Sequence, residues 1–144
     1  LIGIVIVTHA QLGEAFIDAS EFILGKRPEG IISVSIDISE DAEKLRNKIA
    51  ESIRKVRQGG KGVLILTDMF GGTPSNLSYS FLEEGRVEVI SGVNLPILIK
   101  ALNSREKMEF AQLGECLETY GRKSISLASD ILKGNKRGRQ GDKK

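Results

Sequence analysis

No stretch of the chain approaches the ~20 consecutive apolar residues that a membrane-crossing helix needs, so a bilayer span is not indicated. The apolar start, Leu1 to Val7, has no basic region before it and no small-residue cleavage site after it, and it reads as a buried strand rather than a signal peptide. The chain begins at Leu1 instead of Met, which leaves its true start open. Cysteine occurs once: Cys116 has no intrachain disulfide partner and no His or Cys at metal-ligand spacing, which fits a reducing, cytoplasmic setting and a helix-packing role. Histidine also occurs once, at position 9, so no metal site converges by spacing. The glycine-rich segment lacks the lysine of a P-loop, and no Gly-x-Gly-x-x-Gly follows a strand, so neither ATP nor NAD is expected as a cofactor. No Gly-x-Ser-x-Gly elbow is present either, which counts against a hydrolase built from His9, Asp68 and a serine such as Ser75 or Ser91.

What is present is an ordinary globular composition. The 144 residues are 40% hydrophobic and 28% charged, enough for one domain with its own core. The net charge of +2 conceals an asymmetry, because residues 133–144 hold six Lys and Arg against one Asp and leave the first 132 residues at −3. Three glycines interrupt that basic segment and no apolar residue anchors it, so residues 1–132 are expected to form the domain and 133–144 a disordered, solvated tail that binds no nucleic acid.

Apolar residues switch regularly between two periods. Leu1–Val7, Ile31–Ile36, Val63–Leu66 and Val87–Ile90 are short runs suited to buried strands. Between them, Leu12, Ala15, Ala19, Phe22 and Ile23 recur at helical spacing until Gly25 and Pro28, and Ala42, Leu45, Ile49, Ile53 and Val56 form the buried stripe predicted for a second helix, with Ser39 as its N-cap. Further helices are predicted from Pro74 to Glu84, Leu95 to Leu102 and about Arg105 to Tyr120, and Ser124–Leu127 alternates as an edge strand would. Strands alternating with helices predict an α/β three-layer sandwich with a mainly parallel sheet and helices on both faces, because parallel neighbours require crossover connections.

In such sheets ligands bind beyond the carboxyl ends of the strands. His9 stands past the first strand, where a neutral imidazole can use one nitrogen as nucleophile while the other keeps its proton. Asp68, past the third strand, is placed to hydrogen-bond that ring, fix its tautomer and offset developing positive charge. Gly71, Gly72 and Thr73 lead into a helix, where backbone amides and the Thr73 hydroxyl can face a phosphate. Phosphoryl transfer mostly needs positioning and charge stabilisation, which this set can supply without a metal.

At these residues the chain resembles the enzyme IIA component of the mannose/fructose/sorbose family of the sugar phosphotransferase system. Three segments carry the likeness: Ile4–His9 leading into Leu12–Glu14, Thr67–Asn76, and Ile90–Pro96. The resemblance implies that His9 takes phosphate from the phosphocarrier protein HPr and passes it to a IIB domain serving membrane IIC and IID proteins. Asp68 would then orient the histidine, and Thr73 with the Gly71 and Gly72 amides would contact the phosphate. It also implies a homodimer in which the last strand, near Ser124–Leu127, is exchanged between subunits, pairing an otherwise exposed edge. Ala10 departs from the glycine that many members carry after the histidine, and the basic tail has no counterpart. A regulatory protein that signals by phosphorylation state, a phosphotransferase subunit serving dihydroxyacetone kinase, and a plain binding module remain alternatives.

Overall fold

The computed structural model describes residues 1–57 and 59–134. Its elements run β1 (Gly3–His9), α1 (Leu12–Leu24), β2 (Ile31–Ile36), α2 (Ala42–Val56), β3 (Val63–Thr67), α3 (Thr73–Tyr79), β4 (Val87–Ser91), α4 (Leu95–Ser104), α5 (Phe110–Lys123) and α6 (Ala128–Leu132). The strands form one parallel sheet in the order β2-β1-β3-β4, the α/β architecture expected from the alternation.

Strand periodicity explains the layering. Ile2, Ile4 and Ile6 point to one side of β1 and join Leu64, Leu66, Ile17, Leu98 and Leu113, which places α1, α4 and α5 over that face. Val5 and Val7 point to the other, where Ile65 of β3 and Leu45, Ile49 and Ile53 of α2 complete a second core layer beneath α2 and α3. Chain order reverses between β1, whose successor β2 lies on one side, and β3 on the other, so a switch point opens at their carboxyl ends.

Several local expectations are corrected. The apolar stripe expected for α1 is not its buried face: Phe22 is 89% exposed, Leu12 and Ile23 are also exposed, and the helix meets the core through Gly13, Ile17 and Ser20 with Phe16 packed alongside. The reason is close approach, since a Cβ on Gly13 would lie 3.2–3.3 Å from Ser33 Cβ, Ile6 Cγ2 and Thr8 Oγ1, so only small residues let the helix sit this near the sheet. Ser39 does not cap α2. Its amide and hydroxyl donate to Asp37 Oδ1 at 3.0 and 2.8 Å in a local turn, and Asp41 takes the N-cap position. The third helix ends at Tyr79 rather than Glu84, because Ser78 and Ser80 bond back to the Pro74 and Leu77 carbonyls and the next amides make tighter i to i−3 bonds.

The last long helix starts at Phe110, not Arg105, which caps the C-terminal end of α4. Arg105 is buried, and its guanidinium crosses beneath the sheet to donate to the carbonyls of Ile2 at 3.2 Å, Gly30 at 3.4 Å and Glu29. Ser124–Leu127 is not a strand of this sheet, because among the described residues it forms no ladder with any of the four strands; it leads instead into α6, for which the alternating pattern gives no sign. Most of the basic tail, from residue 135 on, lies outside the described residues.

Candidate functional site

His9 and Asp68 meet at the switch point. The register pairs Val7 with Thr67, so the residues that follow on β1 and β3 leave the sheet side by side. His9 donates its backbone N–H to Asp68 Oδ2 at 2.9 Å, and its ring Nδ1 lies 2.8 Å from the same oxygen. The other carboxylate oxygen accepts the Met69 N–H at 3.0 Å. Burial alone pushes the Asp68 carboxyl upward, but the hydrogen bonds from His9 and its own loop, with attraction to the ring, outweigh it and hold the group below the usual carboxylate range.

An ionised carboxylate can only accept, so Nδ1 is the protonated nitrogen and Nε2 keeps its lone pair. The exposure is graded to match, since the Asp68 side chain is 10% exposed and that of His9 is 41% exposed. The carboxylate is the more buried of the two, and the ring is the part of the pair that reaches solvent.

The glycine loop fits around this ring. Gly72 has an ordinary φ of −84°, yet a Cβ there would lie 3.1 Å from His9 Cε1 and 3.6 Å from Nε2, so glycine at this position keeps the approach to the ring open. The Gly71 N–H donates to Ser75 Oγ at 3.1 Å, and that hydroxyl donates to the Gly72 carbonyl at 3.0 Å, which closes the loop on itself. Gly71 therefore has its amide engaged, whereas the Gly72 amide and Thr73 hydroxyl make no hydrogen bond among the described residues. Ser75, which the sequence offers as a hydrolytic serine and within the Thr67–Asn76 segment, closes the loop instead, a role with no signal in the sequence.

Supporting bonds hold the neighbouring turns. Thr8 Oγ1 accepts the Gly13 N–H at 2.8 Å, which bends the chain sharply from β1 into α1 and leaves Ala10 at a φ of +48°. That left-handed conformation explains why glycine would suit the position after the histidine. Past β4, Gly92 and Val93 donate to the Thr67 carbonyl at 3.0 and 2.9 Å, and Asn94 caps α4 by accepting the Ile97 N–H at 2.8 Å. This third strand-end loop is thus committed to structure. Among the described residues no three His, Cys, Asp or Glu side chains gather as a metal site would need, and no helix is long and apolar enough to cross a membrane.

The known proteins that this chain is similar to are sugar phosphotransferase components. The family described as PTS system fructose IIA component matches residues 3–119. The fructose-specific EIIA component of Bacillus subtilis is 31% identical over 133 residues, covering 92% of this chain and 90% of that protein. The sorbose-specific EIIA component of Lacticaseibacillus casei is 32% identical over 111 residues, covering 76% of this chain and 78% of that one. The crystal structure of the EIIA component from Streptococcus agalactiae superimposes with a TM-score of 0.79 at 26% identity, over 90% of this chain and 98% of the other. On the strength of this match along most of its length, the chain belongs to the IIA family of the fructose/mannose type and is a component of the sugar phosphotransferase system.

Proposed function

We propose that His9 carries the phosphoryl group, receiving it from phosphorylated HPr and passing it to a IIB protein or domain that works with membrane IIC and IID components. The observation that carries this reading is the 2.8 Å contact between His9 Nδ1 and Asp68, which leaves Nε2 as the free nucleophile of a part-exposed ring. In the transfer step the Nε2–P bond forms as the donor's N–P bond breaks, and the Nδ1 proton stays shared with Asp68. The carboxylate offsets the positive charge that develops on the imidazole. The Gly72 amide and the Thr73 hydroxyl are the donors nearest to hand for the phosphoryl oxygens, and Gly71 joins them when Ser75 releases its amide.

The same reading includes a homodimer with exchanged Ser124–Leu127 segments in the cytoplasm. Exposed Ile125 and Leu127 next to the open edge of β4 support it. Incubation with phosphoenolpyruvate, enzyme I and HPr is expected to add one acid-labile phosphate, seen as a mass shift that is absent in His9→Ala. No incorporation by the wild-type chain would end the proposal. Onward transfer to a IIB protein separates transport from a purely regulatory role, in which phosphate would enter and never leave by that route.

A further inference from the structure

The open edge of β4 is physically connected to the site. A groove of about 600 Å³ runs along this edge, and Phe70, Tyr79 and Ser91 form part of its wall. The Tyr79 hydroxyl lies 2.9 Å from Ser91 Oγ, which accepts a hydrogen bond from Thr67 Oγ1 at 2.9 Å. Thr67 is buried and directly precedes Asp68, while Phe70 follows Asp68 by two residues and its ring centre lies 6.3 Å from that of Tyr79. The hydroxyls and the ring pair of the groove wall thus hold the chain on either side of Asp68, at Thr67 and at Phe70, and reach its carboxylate through the backbone.

The chain also contains an occupant of matching chemistry. Ile125 lines the groove and is 80% exposed, and Leu127 is exposed and extended in backbone, with φ −95° and ψ 120°. At a spacing of two they fall on one face if the segment is extended, and among the described residues that face is left largely uncovered although Ile125 borders the groove. Of the groove's charges, Glu118 is paired with Arg122, while Glu88 and Glu115 line it with no ion-pair partner among the described residues, and Lys123 directly precedes the segment, so one basic side chain of the occupant can meet an acidic lining.

We infer that Tyr79 and Ser91 are positioning residues for phosphoryl transfer, through which a second copy's Ser124–Leu127 segment, seated in this groove, steadies Asp68 and the His9 ring. The inference rests on the homodimer and phosphohistidine readings above. Its physical basis is exclusion of water: Tyr79 and Ser91 are partly exposed in the single chain, and covering them removes competing solvent from a hydroxyl chain that ends beside Asp68. Self-association and transfer rate become coupled.

The test uses the full chain in three forms: wild type, Ile125→Asp with Leu127→Asp, and Tyr79→Phe. Sedimentation gives the oligomeric state, single-turnover phosphorylation by phosphorylated HPr gives the rate, and ¹⁵N spectra of the single histidine report the Nδ1–H bond. The wild type should be a dimer. The double variant should be a monomer that accepts phosphate roughly three- to tenfold more slowly, and Tyr79→Phe should remain a dimer with a similar loss, both with a shifted Nδ1–H signal. Combining all three changes should slow transfer no further than either alone. A double variant that is monomeric with wild-type rate and unchanged ring signals overturns the coupling and leaves the homodimer standing; so does a dimeric Tyr79→Phe that behaves as wild type. A double variant that still dimerises overturns the assigned occupant. A monomeric wild type overturns the homodimer and the coupling with it, while failure of His9 to take phosphate at all shows separately in the mass of the wild-type chain.

Discussion

At the amino ends of the strands, Arg105 lies buried under β1 and β2, spending its donors on the carbonyls of Ile2, Glu29 and Gly30. At the carboxyl ends, Asp68 is nearly as well covered, but its partner is the half-exposed ring of His9. Both sites hold a charge by hydrogen bonds at the rim of the same sheet. In the first every bond ends on backbone, and the charge fastens elements together; in the second the bond ends on a part-exposed ring whose other nitrogen is not bonded to the carboxylate. The difference teaches where to look for chemistry in this fold: a fixed charge becomes functional when its hydrogen-bond chain opens to solvent through a group that can react.

Substitutions can separate these two roles. The largest loss of stability is expected for Arg105→Ala, about 3 kcal/mol or more, because several carbonyls lose a buried charged donor. Urea unfolding should register it as a lower midpoint, while the folded fraction still accepts phosphate at the wild-type rate. A slowed rate in fully folded Arg105→Ala would mean that the two ends are not independent.

Asp68→Asn should show the reverse pattern, with phosphoryl transfer slowed roughly a hundredfold or more in a folded protein, because the amide no longer fixes the Nδ1–H tautomer. Rapid-quench measurement of His9 phosphorylation checks this, and unaltered kinetics would reduce Asp68 to a turn residue. The same variant carries a pH signature. The Asp68 carboxyl is held low in the folded state despite the upward push of burial, so its stabilising contribution is present above its unfolded pKa of about 3.9 and is lost as pH falls through the lower folded value. Wild type should therefore exceed Asp68→Asn in stability at pH 7, with the gap narrowing in acid below about pH 4.

Gly72→Ala should have a smaller effect, roughly tenfold on rate, since its methyl group would crowd Cε1 and Nε2 of the ring without touching the core. Ala10→Gly should matter least. It relieves a left-handed alanine but loosens the unfolded chain, so thermal unfolding should change by at most about 1 kcal/mol in the stabilising direction.

The end that holds the candidate site is more legible in the sequence than the structural end, and for a physical reason. His9 and Asp68 follow apolar runs that announce strands, and parallel strands bring their carboxyl ends together, so the pairing follows from the order of the runs. Arg105 gives no such sign, because its bonds go to carbonyls far away in the sequence and any residue supplies a carbonyl. Phe22 and Ile23 misled for a related reason: periodicity marks a helix but not the face that is buried, and here Gly13 and Ser20 face the sheet because α1 sits so close to it. Ser124–Leu127 alternates like a strand, yet a strand exists only where a neighbour supplies the ladder, and among the described residues this segment pairs with none.

The central claim is most directly tested by the position of the phosphate on the imidazole. With ¹⁵N in the only histidine, long-range proton–nitrogen spectra of the phosphorylated chain should show phosphorus coupling at Nε2 and a proton retained on Nδ1. Phosphate on Nδ1, or a phosphorylated chain whose histidine nitrogens carry no phosphorus coupling, would contradict the account.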